Sequence, residues 1–242
     1  MSSNAATLLV ELIDSYAVPP NHKAQTAFGF DNAHDIDAWR EHIEALTLVR
    51  NVDDAIRDMA AQGDPVDIFV PSVPHWYAGV GMASTPWGST HATERAICPP
   101  EHRKMLKALA LLIDAQGRSL DITEADRRAL SDVLDEAAEL LEASQTMPPS
   151  ARSYLRALID RARFLLEALD TYGAESVRAV VLELGGAMVM EGGRASAEGD
   201  QPTAKRWWSS AHLLVAGFLG GMGSEGASAI TTGISAVAKQ LG

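Results

Sequence analysis

Four side chains able to bind a transition metal fall in one stretch: His75, His91, Cys98 and His102. Imidazole and thiolate are ordinary zinc ligands, but structural sites repeat close ligand pairs such as C-x-x-C. Here only Cys98 and His102 are closely spaced, so the stretch defines no metal site. His102 reads instead as a surface residue in a first helical turn. Cys98 precedes Pro99 and has no base beside it in sequence to generate a thiolate. Ser72 and Ser89 lie outside any G-x-S-x-G elbow. His34 with Asp35 and Asp37 offers acid–base or metal chemistry. At a helix start, however, capping and the helix dipole already account for both carboxylates. The glycines of GFLGGMGSEG have no preceding strand, no G-x-G-x-x-G order and no Lys-Ser/Thr of a phosphate loop. No catalytic, cofactor-binding or metal residue is assigned, and no cofactor is expected.

Aromatic side chains carry the stronger signal. Trp39, Trp76, Tyr77, Trp207 and Trp208 are the kind of residues that anchor interfaces, and they are equally suited to a core. The run PVDIFVPSVPHWYAGVGMASTPWGSTH is rich in Pro and Gly, and a long ordered loop is expected from Pro71 to Pro100. Its Trp76, Tyr77 and Trp87 form a candidate interaction surface. The same region also supports an alternative reading as a hydrolase-like enzyme. There the 71–102 loop walls an active site with His75, Trp76, Tyr77, His91, Cys98 and His102.

Helices must position these residues. Leu8, Leu9, Leu12, Ile13 and Tyr16 share a helical stripe over Leu8 to Ala17, closed by Pro19-Pro20, with Ser2 to Ala5 expected to fray. A second helix spans His34 to Ala61. Trp39, Ile43, Leu46, Leu48, Val49, Val52, Ile56 and Met59 are its apolar marks, and Asn51 is a candidate break. Val66 to Val70 suits a short strand. After Pro99-Pro100 a helix carries Met105, Leu106, Leu109, Leu111, Leu112 and Ile113, closed by Gly117. Thr123 is a natural N-cap with Asp126 three residues on, and Leu130, Val133, Leu134, Ala137, Leu140 and Leu141 line one face of the helix it opens. Pro148-Pro149 start its partner. Tyr154, Leu155, Leu158, Ile159, Ala162, Leu165, Leu166 and Leu169 are read as the inner side of that helix. The short connection predicts an antiparallel hairpin. Gly173 ends the second helix, and a third begins near Ala174 with Gly185-Gly186 allowing close approach. EGGRASAEGDQP reads as a mobile loop. Residues 206–241 read as a Gly/Ala-rich pair of helices closing the bundle, with Trp207, Trp208, Leu213, Leu214, Val215, Phe218 and Leu219 buried in the first. Ile230, Ile234, Val237 and Leu241 stripe the second.

TEADRRALSDVLDEAAELLEAS, MPPSARSYLRALIDRARFLLEALDTYG and SVRAVVLELGGAM together resemble a helical module of uncharacterised bacterial proteins, some from phage and mobile-element contexts. The resemblance covers residues 120–190 and implies no activity or site residue.

The whole is expected to be mainly α: a multi-helix bundle with a long ordered loop and a Gly/Ala-rich C-terminal helical pair. One compact domain over 1–242 is expected, with a possible subdivision at 98/99. At 47 % hydrophobic and 21 % charged residues, the chain can bury a core and is not a disordered one. A net charge of -12 argues against nucleic acid as a partner, because phosphate contacts need Lys and Arg. The single cysteine excludes an internal disulfide, which fits a reducing compartment and equally a disulfide-free exported protein; the N-terminus lacks the basic region of a secretory signal, and the expected location is cytoplasmic. The reading is a non-enzymatic helical interaction or regulatory protein, with a protein partner or self-association. A soluble-to-membrane effector using 206–241 is the third alternative.

Overall fold

The computed structural model describes residues 4–32, 34–83, 87–117, 122–144 and 147–219, with 216–219 described by backbone alone. Among these residues the protein is mainly α-helical, a multi-helix bundle of nine α-helices and one 3-10 turn. Two isolated antiparallel bridges, Val18 with Arg95 and Lys23 with Thr90, are the strand-like pairings among the described residues. The chain divides into two compact units: Met1–Ser119 with Asp170–Ser176, and Leu120–Leu169 with Val177–Gly242. The division follows Ser119 and not residue 98, because the helix after Pro99 packs on the first helix of the chain.

The first unit holds α1 (Ala5–Ser15), α2 (Ala24–Ala27), α3 (Ile36–Ala61), the 3-10 turn Val70–Ser72, α4 (Val73–Val80) and α5 (Pro100–Ala115). Helix α1 packs on α5 and α3, and α3 packs on α4. Asn4 starts α1. Its Oδ1 accepts the Thr7 N–H, and its amide donates to the Ala110 carbonyl and Asp114 Oδ1 on α5. That lock replaces the fraying expected at Asn4 and Ala5, both of which are buried. Helix α3 runs through Asn51 without a break, and Asn51 Nδ2 donates to Ser176 Oγ. The stretch expected as a loop from Pro71 contains α4. Pro74 stands in its first turn, where a missing N–H costs nothing, so proline initiates here and does not interrupt. Val66 and Phe69 anchor a turn in place of the expected strand. Leu111 is 71 % exposed because the buried face of α5 runs through Leu106, Leu109, Ala110 and Ile113.

The second unit holds α6 (Glu124–Ala143), α7 (Pro149–Glu167), the main part of α8 (Leu169–Ala197) and α9 (Gln201–Leu219). Thr123 and Asp126 form a reciprocal capping box on α6. Leu130, Leu134, Ala137, Leu140 and Leu141 of α6 are buried, as are Leu155, Leu158, Ile159, Ala162, Leu165 and Leu166 of α7. Helices α6 and α7 pack together, each buried Leu or Ile contributing about 1.5–3 kcal/mol relative to exposure. Arg152 of α7 donates to the Leu141 and Ser144 carbonyls, satisfying the end of α6. Tyr154 turns outward from the expected inner side and donates to Glu183 at 2.7 Å.

Helix α8 is interrupted at Gly173 (φ 79°), a conformation that L side chains rarely adopt, and a Cβ there would lie 2.6 Å from Leu8. The expected loop over 191–202 is instead helical to Ala197, with α9 starting at Gln201. Arg194 bridges Glu191 and Glu198 one turn to either side, which holds this stretch in the helix. Trp207, Leu214 and Val215 of α9 are buried, whereas Leu213 faces out at 54 % exposure. The second segment expected in the tail lies outside the described residues, and no helix among those described is long and apolar enough to cross a membrane.

Small residues on α8 let α9 approach. A Cβ on Gly192 would lie 2.5 Å from Trp208 Nε1, and that indole is held by its bond to the Val189 carbonyl. A Cβ on Gly193 would meet nothing within 4 Å. Gly192→Ala is therefore expected to cost about 1–3 kcal/mol through overpacking. Gly193→Ala should be neutral or stabilise by up to about 1 kcal/mol through helix propensity. Urea unfolding followed by far-UV circular dichroism separates the two; equal effects would show that the contact is not tight.

Candidate functional site

Two clusters of chemically capable side chains form within the first unit. One is aromatic and centres on His42. Tyr16 leaves the end of α1, Phe28 and Phe30 follow α2, Trp39 and His42 lie one turn apart on α3, and Trp87 comes from the segment beyond α4. Phe30 stands 4.8 Å from Trp39 and 4.7 Å from Trp87 between ring centroids. Tyr16 and Phe28 are 4.2 Å apart. The His42 ring is surrounded by all five, at 5.6–6.4 Å. Edge-to-face pairs of this kind contribute about 0.5–1.5 kcal/mol each beyond their burial.

Backbone pairing positions these rings. Val18 and Arg95 exchange both N–H···O bonds, at 2.9 and 3.0 Å. The Asn21, Ala24 and Gln25 amides donate to the His91, Ser89 and Trp87 carbonyls. Segments 18–25 and 87–95 thus form one ribbon that places Phe28, Phe30 and Trp87 over α3.

His42 is buried and its Nδ1 has no hydrogen-bond partner. Burial lowers its pKa from the ordinary value near 6.5, because an imidazolium loses hydration there. Tyr16 is pushed up to about 12, by burial first and then by Glu41. Burial also raises Tyr172, with Tyr16, Glu41 and Glu44 adding to it. None of these phenols ionises near neutrality.

Apolar spacing alone left open which side of α3 faces outward. Ala38, His42, Ala45, Val49, Val52, Ile56 and Met59 form its buried stripe. Trp39 and Ile43, two of its apolar marks, are 39 % and 55 % exposed, and Ile36 is 64 % exposed. Ile36, Trp39 and Ile43 share one face at i, i+3 and i+7. His42 was not recognised, although it interrupts the apolar register near the N-terminal end of the stripe.

The second cluster lies where α4 meets α5. The His75 and His102 rings stack 3.6 Å apart at 12°. His102 Nδ1 shares a 3.0 Å hydrogen bond with Ser72 Oγ, and the Trp76 indole donates to the His102 carbonyl at 3.0 Å. His102 is therefore not an ordinary surface residue. Ser72 is only 2 % exposed, so its hydroxyl is closed to a substrate. The Cys98 thiol is pushed up to about 11, by burial first and then by Glu101, with Arg103 opposing; it stays protonated at neutral pH. His91 is elsewhere, on the ribbon, 3.2 Å from Arg95. His34 donates its N–H to Asn32, Asp35 caps α3, and Asp37 pairs with Arg40, so these groups serve the helix start. Among the described residues no group of three or more His, Cys, Asp or Glu is arranged to hold a metal ion.

Of the surface proposed from sequence, Trp76 is a correction: it is fully enclosed and offers no area to a partner. Tyr77 is half-buried, with Asp53 and Asp54 raising its pKa after burial. Trp87 is half-buried in the other cluster. In the second unit an open groove of about 380 Å³ is lined by Arg127, Arg128 and Arg163 against Glu124, Asp135 and Glu167. These charges balance, and Arg163 already pairs with Asp135 at 2.6 Å, so the groove exerts no net pull on an ion.

The sign of the His42 effect sets a pH dependence. Its folded pKa lies below its unfolded value, so the neutral ring's contribution is complete above the ordinary histidine range. It is lost as pH falls from near 6.5 to the folded pKa, and then levels. Denaturant midpoints from pH 7.5 to 5 should therefore fall more steeply for the wild type than for His42→Leu. Parallel slopes would remove His42 as the cause.

No protein-family model, curated protein or solved structure matches this chain.

Proposed function

We propose that the chain is a non-enzymatic helical interaction or regulatory protein that docks a protein partner through the outer face of α3. The carrying observation is the exposed row Ile36, Trp39 and Ile43. Three large apolar side chains at this spacing are the form in which a helix inserts into a partner's groove, and tryptophan is the residue most enriched at energetic hot spots. The row is backed by the packed rings of Phe30 and Trp87, so Trp39 is presented with little freedom left to lose on binding. Self-association through the same face and the resemblance of residues 120–190 to phage-associated helical proteins are compatible with this reading. The test compares proteins co-purified from native extract, and oligomeric state by light scattering, for the wild type and Ile36→Ser/Ile43→Ser. The variant should lose the specific partner or the self-association at least tenfold with its circular dichroism unchanged. Unchanged capture and unchanged mass would sink the assignment of this face.

The hydrolase-like alternative has one observation in its favour, the Ser72–His102 hydrogen bond. A buried hydroxyl makes it the weaker reading. Esterase activity on p-nitrophenyl acetate should be equal within twofold for the wild type and Ser72→Ala. A loss of a hundredfold or more in Ser72→Ala would restore an active site at this loop.

A further inference from the structure

We propose that His42 is a proton-operated latch: neutral, it clamps the paired segments 18–30 and 87–95 onto α3, and protonated, it releases them. The ribbon is held together by its own backbone hydrogen bonds, from Val18–Arg95 to Gln25–Trp87. What fastens that side of it to α3 is the ring cluster of Phe28, Phe30, Trp39 and Trp87 around His42. The two sets of forces are separable, so a change at His42 loosens the second and leaves the first intact.

The neutral imidazole tolerates this site because an unpaired ring nitrogen can be an acceptor lone pair. The imidazolium must donate from both nitrogens, and Nδ1 is buried with no acceptor. The surrounding rings do offer some cation–π attraction, but the Phe and Trp rings accept no strong N–H hydrogen bond, and His42 Nδ1 makes none to the Tyr16 hydroxyl. The titratable groups beside the cluster are Tyr16 from α1, Glu41 and Glu44 from α3, and Tyr172 from 170–176, while Lys23, Glu94 and Arg95 of the ribbon are exposed. The ribbon brings Phe28, Phe30 and Trp87 against the ring. Proton uptake is relieved by moving these rings aside, which lets water reach Nδ1. Release would widen the exposed apolar face beyond Ile36, Trp39 and Ile43, because Phe30 is buried in the closed form. The latch does not depend on what, if anything, that face binds.

The experiment is an NMR titration of the full chain from pH 7.5 to 4.5. It follows the His42 ring proton, the nuclear Overhauser effects among the Phe30, Trp39 and Trp87 rings, and the protection of the Val18 and Arg95 amides. His42→Gln, His42→Phe and Glu44→Gln are run beside the wild type. The expected result is a His42 midpoint below 6.5, with the ring–ring Overhauser effects disappearing across the same midpoint while the two amides stay protected. Both His42 variants should keep the ring–ring signals at the low end, and Glu44→Gln should behave as wild type. A midpoint at or above the ordinary value would show that the rings stabilise the cation, and would overturn the latch. So would rings that stay together below the midpoint, rings that separate identically in His42→Gln, or rings that Glu44→Gln keeps from separating. If either His42 variant misfolds, the wild-type coincidence of midpoint and ring separation still decides.

Discussion

The first unit depends on the buried stripe of α3. Ala38, His42, Ala45, Val49, Val52, Ile56 and Met59 turn one face of a long helix inward, against α1 and α4. Towards its N-terminal end the ribbon sets Phe28, Phe30 and Trp87 around His42. His42 is the exception on the stripe, a polar ring accepted because its neutral form asks for little. A phenylalanine there would satisfy the core more simply; histidine makes the same contact sensitive to protons.

The second unit rests on a different constraint, close approach. Glycines at 185 and 192 of α8 face Val215 and Trp208 of α9, with no space for a Cβ at either position. Gly residues weaken an isolated helix by about 1 kcal/mol each, so α8 owes its continuity to tertiary contacts and to the Glu191–Arg194–Glu198 bridge. The exposed ion pairs between α6 and α7, Arg156–Glu142 and Arg163–Asp135, contribute at most about 1 kcal/mol each. They favour the register; the leucine stripes supply the stability.

Burial separates the two chemical clusters by what they can do. Ser72, Trp76 and Cys98 are inside, so the α4–α5 cluster works as a fastening: Ser72 Oγ and the Trp76 indole tie the two helices through one residue, His102. Ile36, Trp39 and Ile43 are outside, on a helix whose other face is fixed by the core. A rigid helix with an exposed apolar row can recognise a partner at low entropic cost. The aromatic residues that drew attention in the sequence therefore divide by position, and Trp39 is the one whose exposure favours recognition.

The sequence alone determined the helical class, the Thr123 and Pro148-Pro149 helix starts and the α6–α7 stripes; Gly173 interrupts α8 and does not end α7, which stops at Glu167. Those are local signals: caps, missing N–H groups and a 3.6-residue apolar period act within a few residues of themselves. It misread α4, because a proline that begins a helix and one that breaks it look alike until the preceding backbone is known. It misread 191–197, because Gly192 there marks contact with Trp208, a residue on another helix. Apolar spacing could not decide which side of α3 faces inward, since Trp39–Ile43 and Ala38–His42–Ala45 are both helical rows. Only tertiary packing decided that, by placing α1, α4 and the ribbon against the side with the smaller residues. The same packing joined His75 to His102 and brought Tyr16, Phe28, Phe30 and Trp87 from other segments around His42, because proximity across a chain is set by the fold and carries no periodic trace in sequence.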